Sequence, residues 1–221
     1  IPWMRPQAGQ DESDQRASVI IDYLFQKLGL EIYLEWARND FQVTDGNFIR
    51  YPFHTQAWTF GAQKSFKITN KFYAKIHLEL THLEASHDYR TTYPWASTFY
   101  AHHKITQGYT NKGQWLGAGI GTGGNSQYLE IELIYPKGNS SIFIYRYNPD
   151  LDYVWFNSEF EKTYSNNMKT IIDVGTYTNI FIKNNISIFN QLDLIVNLSN
   201  NYERLTYQSE FSIKLGCNII F

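Results

Sequence analysis

The chain has 221 residues, with 19 Lys and Arg against 21 Asp and Glu and a formal net charge of -2. That balance excludes a general nucleic-acid binder, which carries a basic excess, and the single cysteine, Cys217, excludes an intrachain disulfide. No apolar run approaches the roughly 18 residues of a transmembrane helix, yet 17% of the residues are aromatic; soluble domains rarely need so many, whereas a membrane β-barrel places aromatic girdles at both interfaces.

The chain opens Ile1-Pro2-Trp3-Met4-Arg5-Pro6, with neither the basic start nor the apolar stretch of an export signal. An outer-membrane protein needs export, so Ile1 is read as a processed end or as the cut edge of a longer protein. Residues 1–16 are read as an N-terminal segment or loop and 17–221 as a portion of a barrel. From there the main signal is strict alternation, which puts residues on opposite faces of a strand. Leu30, Ile32, Leu34 and Trp36 oppose Glu31, Tyr33 and Glu35. Ala74, Ile76, Leu78 and Leu80 oppose Lys75, His77, Glu79 and Thr81. The same holds for Leu129, Ile131 and Leu133 against Glu130 and Glu132, and for Leu192, Leu194 and Val196 against Asp193 and Asn197. Alternation predicts about nine strands, near 17–26, 29–39, 55–66, 72–84, 126–136, 140–148, 167–182, 186–200 and 208–221. Each is long enough to cross a bilayer at barrel tilt, which takes roughly 9–11 residues.

Short connections at 27–28, 67–71, 137–139 and 183–185 alternate with long ones at 40–54, 85–125, 149–166 and 201–207. Outer-membrane barrels have short periplasmic turns and long external loops. The last strand puts Phe211, Ile213, Leu215, Cys217, Ile219 and Phe221 on one side. A terminal aromatic after such a pattern resembles the signal by which the bacterial barrel-assembly machinery recognises its clients; an ordinary amphipathic strand is the alternative. A soluble antiparallel sandwich would alternate as well, but the strand lengths favour a membrane. The predicted fold class is therefore all-β, an antiparallel transmembrane β-barrel. An odd count near nine makes it half of a larger one.

The external loop 85–125 holds the densest set of binding groups. Gly117, Gly119, Gly121, Gly123 and Gly124 permit positive φ and close backbone approach. They lack the Gly-Lys-Ser/Thr ending of a phosphate loop, so ligand contact and a tight fold over the mouth stay open. His102 and His103 are adjacent, and adjacent side chains in extended chain diverge, which disfavours one shared metal. Pairing Ser97 with His102 as nucleophile and base would be arbitrary without geometry. Tyr93, Trp95, Tyr100, Tyr109 and Trp115 stand among amides and cations. That mixture suits sugars, whose C–H faces pack on aromatic rings, and equally suits an aromatic collar.

The stretch Tyr100–Gln127 resembles the most characteristic motif of the Wzi-type capsule assembly proteins. The likeness rests on Tyr100, His102, His103, the Gln-Gly-Tyr-Thr of 107–110, Gly113, the Leu-Gly-Ala-Gly-Ile-Gly of 116–121 and the Asn-Ser-Gln of 125–127. Tyr33, Glu35 and Arg38, the Glu-Leu-Thr-His of 79–82 and the closing strand are also similar, so the resemblance runs from about residue 18 onward. It implies an outer-membrane barrel of about eighteen strands, even as bacterial barrels are, of which this chain would be the C-terminal half. It further implies a lectin-like, non-catalytic anchor for capsular or other surface polysaccharide, in contact with outer-membrane lipid and without cofactor or metal. The expected polysaccharide-binding residues are Tyr93, Trp95, Tyr100, His102, His103, Gln107, Tyr109, Asn125 and Gln127. A small-solute channel is the alternative function, its lumen lined by Glu31, Glu35, Lys75, Glu79, Glu130, Glu132 and Lys214. A hydrolase using a loop histidine is a third.

Overall fold

The structure, a computed structural model, describes residues 16–39, 56–86, 90, 99–101, 107–157, 168–183, 186–201 and 204–219. Nine long strands carry the fold. They are β1 (Arg16–Phe25), β2 (Leu30–Asn39), β3 (Gln56–Lys67), β4 (Tyr73–His82), β7 (Asn125–Tyr135), β8 (Gly138–Asn148), β9 (Lys169–Lys183), β10 (Ile186–Asn201) and β11 (Arg204–Ile219). Between them lie a two-residue hairpin, β5 (Thr110–Asn111) with β6 (Gln114–Trp115), and a short helix, α1 (Leu151–Phe156). The nine long strands form one sheet in chain order, and every neighbouring pair is antiparallel. Among the described residues β1 and β11 do not pair with each other, so the sheet is open, with two edges, rather than a closed barrel.

All nine predicted strands are present, within a few residues of their expected bounds. The fourth long connection is not. The β10–β11 ladder continues through Ser199↔Thr206 and Asn200↔Leu205 to Asn201↔Arg204. Residues 201–207 read as a long loop, but ladder bonds come from the backbone and do not require an apolar phase in the side chains. The terminal Phe221 lies outside the described residues.

Register turns the sequence alternation into two faces. One row, Tyr23–Ile32–Ala62–Leu78–Leu129–Ile144–Val174–Leu194–Phe211, crosses all nine strands on one face. The adjacent row, Asp22–Tyr33–Gly61–Glu79–Tyr128–Tyr145–Asp173–Ile195–Glu210, crosses on the other. Every carboxylate in the nine strands stands on this second face: Asp22, Glu31, Glu35, Glu79, Glu130, Glu132, Asp173, Asp193 and Glu210. The acid-free face leaves Ile142, Phe211 and Leu215 at 54%, 66% and 75% exposure. Exposed apolar side chains thus recur on this face from β1 to β11.

The carboxylate face is also shaped by glycine. Gly61, Gly175 and Gly216 each sit opposite an inward aromatic on the next strand, respectively Tyr33, Phe143 and Phe189. In each case the ring lies over the glycine where a Cβ would stand. The missing side chain is thus replaced by a cross-strand ring, a device that pins register and lets a sheet curve. Other rings extend the layer: Tyr128 stacks on Phe143 at 6.0 Å, Tyr145 on Tyr147 at 4.8 Å, and Tyr177 on Phe189 at 6.2 Å. The small buried core lies at the long-loop end of this face. There Ala57 and Leu83 pack with Phe99 and Tyr100, joined by Ala37, Ala118 and Ile120. The loop between β4 and β7 therefore folds onto the long-loop end of the carboxylate face, and this covered face is called the inner one.

Candidate functional site: the mouth beneath the central loop

Tyr100 organises the described part of the loop. It adopts φ 71°, and its carbonyl accepts the Tyr109 N–H at 2.8 Å. Its hydroxyl accepts the Ala118 N–H at 3.1 Å. The ring stacks on Tyr109 at 5.7 Å and meets Phe99 edge-on at 5.0 Å. Two glycines of the motif make this possible. Gly108, at φ 60°, lies against the Tyr100 carbonyl, and Gly117 lies under its ring; a Cβ at either position would overlap Tyr100. Burial pushes the Tyr100 hydroxyl above its ordinary pKa, and the Ala118 N–H offsets only part of this. Tyr100 is thus a neutral packing and hydrogen-bonding residue, only 9% exposed.

Between the loop and the inner face lies a cavity of about 630 Å³, a size typical of small-molecule sites. The sheet contributes Tyr33, Glu35, Thr59, Glu79, Thr81 and Tyr145; the loop contributes Tyr100, Tyr109 and the backbone of 117–119. Tyr33 donates to Glu79 Oε2 at 2.5 Å, and its hydroxyl is also 3.1 Å from His77 Nε2. Thr59 and Thr81 share a hydrogen bond at 3.2 Å. The Arg16 guanidinium stands 4.6 Å from the Tyr109 ring centre and 5.8 Å from that of Tyr100, a cation–π arrangement. Aromatic faces, hydroxyls and carboxylates therefore converge in one half-open cleft.

A second polar system holds the loop base. Asp152, at the start of α1, is fully buried. Its carboxylate accepts the Ala85 N–H at 3.0 Å and the Arg90 guanidinium at 3.0 and 2.6 Å. Arg90 also reaches Glu84 at 3.1 Å and lies over the Trp155 ring at 5.7 Å. Glu84 in turn accepts Asn125, and Asn125 and Gln127 accept Arg146 at 2.6 and 3.0 Å. This ties the loop after β4, the loop after β8 and the top of β7 together.

The structure separates the predicted binding residues. Tyr100 and Tyr109 line the cavity. Asn125 and Gln127 belong to β7 and, by register, stand on the outer face with Leu129. Gln107 is exposed, and its carbonyl accepts Thr110 Oγ1 at 2.9 Å. Tyr93, Trp95, His102 and His103 lie outside the described residues. Among the described residues no group of three or more His, Cys, Asp or Glu is placed to hold a metal ion. Alternation had marked Glu35 and Glu79 as inward; Tyr33, Tyr145 and Arg16 as cavity residues were missed, although Tyr33 alternates in step with them. The Arg90–Asp152 pair was also missed, and a separation of 62 residues leaves no local signal for it. No protein-family model, curated protein or solved structure matches the chain.

Proposed function

We propose that this chain forms part of the wall and the mouth of an outer-membrane β-barrel that binds capsular or other surface polysaccharide without catalysis. The observation that carries the reading is the cavity beneath the Wzi-like loop, where Tyr109, Tyr145, Tyr33, Glu35 and paired threonines converge. Sugars are held by this combination: rings cover their C–H faces, and carboxylates and hydroxyls pair their hydroxyl groups. Membrane residence is supported by the exposed apolar face, free of carboxylates, and by strands of 10–16 residues. Trp36 and Trp58 stand on that face toward the long-loop end, and Phe25 and Phe66 toward the short-turn end, as interface girdles would.

In an antiparallel sheet of nine, β1 and β11 run in the same direction. Two copies of the chain in the same orientation would close only through parallel seams. Closure by antiparallel pairing alone takes an odd number of further strands, giving the even total of bacterial barrels. The binding test is made on cells carrying the full-length protein. Trp95→Ala combined with Tyr109→Ala is expected to release most cell-bound polysaccharide while the folded protein in the outer membrane stays constant. Unchanged retention would overturn the reading. The channel alternative draws on the nine inner carboxylates, yet Lys75 already pairs with Glu132 at 2.6 Å. Cation-selective conductance in a planar bilayer would favour it.

A further inference from the structure

The charge of the cavity narrows its ligand beyond polysaccharide in general. Two carboxylates, Glu35 and Glu79, stand on its wall. Glu79 is taken up by Tyr33 at 2.5 Å, which spends one of its oxygens; Glu35 lies outside that pair. The one cation on the wall, Arg16, is drawn to the Tyr109 and Tyr100 rings. Around the cavity the same face carries further acid: Asp22 and Asp173 stand in the row of Tyr33, Glu79 and Tyr145, and Glu130 stands in the adjacent row opposite His77. A further negative group brought here would meet two carboxylates of like charge, which disfavours it. A hydroxyl or an ammonium would instead find acceptors already in place.

Resting on the polysaccharide-binding reading, we infer that this cavity seats a one- or two-residue segment of a neutral or amine-bearing sugar, with Glu35 as its acceptor, and rejects uronic acids. The Tyr145 ring supplies the apolar wall, being stacked on Tyr147 and therefore fixed. Tyr109 and Leu116, 40% and 56% exposed, form the rim through which a chain end would enter. Gly117, Ala118 and Gly119 of the loop line the opposite side.

The full-length protein in detergent is titrated with three disaccharides, read by saturation-transfer NMR: a β-1,4-linked glucosamine pair, cellobiose and a glucuronic-acid-containing disaccharide. The expected order is amine first, cellobiose about tenfold weaker, and no binding of the uronic acid. Glu35→Gln, an isosteric change, is expected to bring amine and neutral sugars to equal affinity. Equal binding of the uronic acid, no binding of any probe to the wild type, or an unchanged order in Glu35→Gln each overturns the inference. The wild-type order needs no variant, so a misfolded Glu35→Gln protein leaves the test decisive. Polysaccharide retained on cells in the absence of probe binding would remove this cavity while leaving the broader reading standing. Loss of neither in Trp95→Ala/Tyr109→Ala cells would remove the broader reading itself.

Discussion

The nine-stranded sheet, or wall, and the loop-covered end of its carboxylate face, or mouth, are held by different physics. In the wall, residues that touch are register partners on adjacent strands, and one backbone ladder repeats from β1 to β11. Its specificity comes from period-two patterning and from rings laid over Gly61, Gly175 and Gly216. In the mouth, few ladder bonds exist, and contacts join residues far apart in sequence: Arg90 with Asp152, Tyr100 with Gly117, Asp152 with Ala85. A wall tolerates loss of one pair because its neighbours remain in register. A mouth built on single buried partners does not.

The largest expected effect therefore falls on the mouth. Asp152→Ala leaves the Arg90 guanidinium and the Ala85 N–H without this acceptor. Breaking a buried ion pair from one side costs about 3–5 kcal/mol. Limited proteolysis is expected to open the loops after β4 and β8 while the nine-stranded sheet keeps its far-ultraviolet circular dichroism. Simultaneous loss of both would show that the two regions are one cooperative unit.

A somewhat smaller effect distinguishes the two faces of the wall. Ile131 stands in the outer row between Ile76 and Ile142, and Glu130 beside it faces inward. Ile131→Arg is expected to cost about 2–4 kcal/mol if lipid covers that face, measured by denaturant unfolding in bilayers. Glu130→Gln should be nearly silent in the same measurement. A silent Ile131→Arg would sink the membrane assignment.

Next, Gly61→Val drives a side chain into the Tyr33 ring. Overpacking of this kind costs about 1–3 kcal/mol, and Tyr33→Ala in the same chain should recover part of the loss. The recovery, in denaturant midpoint, is the signature of a ring seated over glycine; no recovery would point to backbone strain instead.

The smallest effect is alkaline. The Tyr100 hydroxyl is held above its ordinary value by burial, so its neutral form is favoured in the folded loop. The stability it contributes is fully present below about pH 10 and is lost as pH rises through the folded value. Tyr100→Phe should remove one equivalent from the late-titrating tyrosinate absorbance. Loop protection from protease should fade over the same range in the parent protein only.

The nine strands, their face assignment and the inward placement of Glu35 and Glu79 were legible because each depends only on a period of two along one stretch of chain. The continuation of the β10–β11 ladder to Asn201↔Arg204 was not, since polar residues such as Asn201, Arg204 and Thr206 carry no apolar phase, and backbone pairing needs none. Asn125 and Gln127 share a motif with Tyr100, yet β7 begins at Asn125 and its pleat sends both to the outer face. Proximity in sequence implied proximity in a site, and the strand boundary broke that inference.

By itself, then, the sequence determined an antiparallel all-β sheet with one apolar and one acidic face, because alternation is a local property that survives without any knowledge of partners. Only the tertiary structure decided that Tyr100 is a buried support seated over Gly117, that Asp152 locks two loops together, and that Tyr33, Glu35, Tyr109 and Tyr145 share one cavity. Those facts depend on which residues meet across long stretches of chain, and that meeting is set by strand register and loop packing rather than by any neighbouring residue.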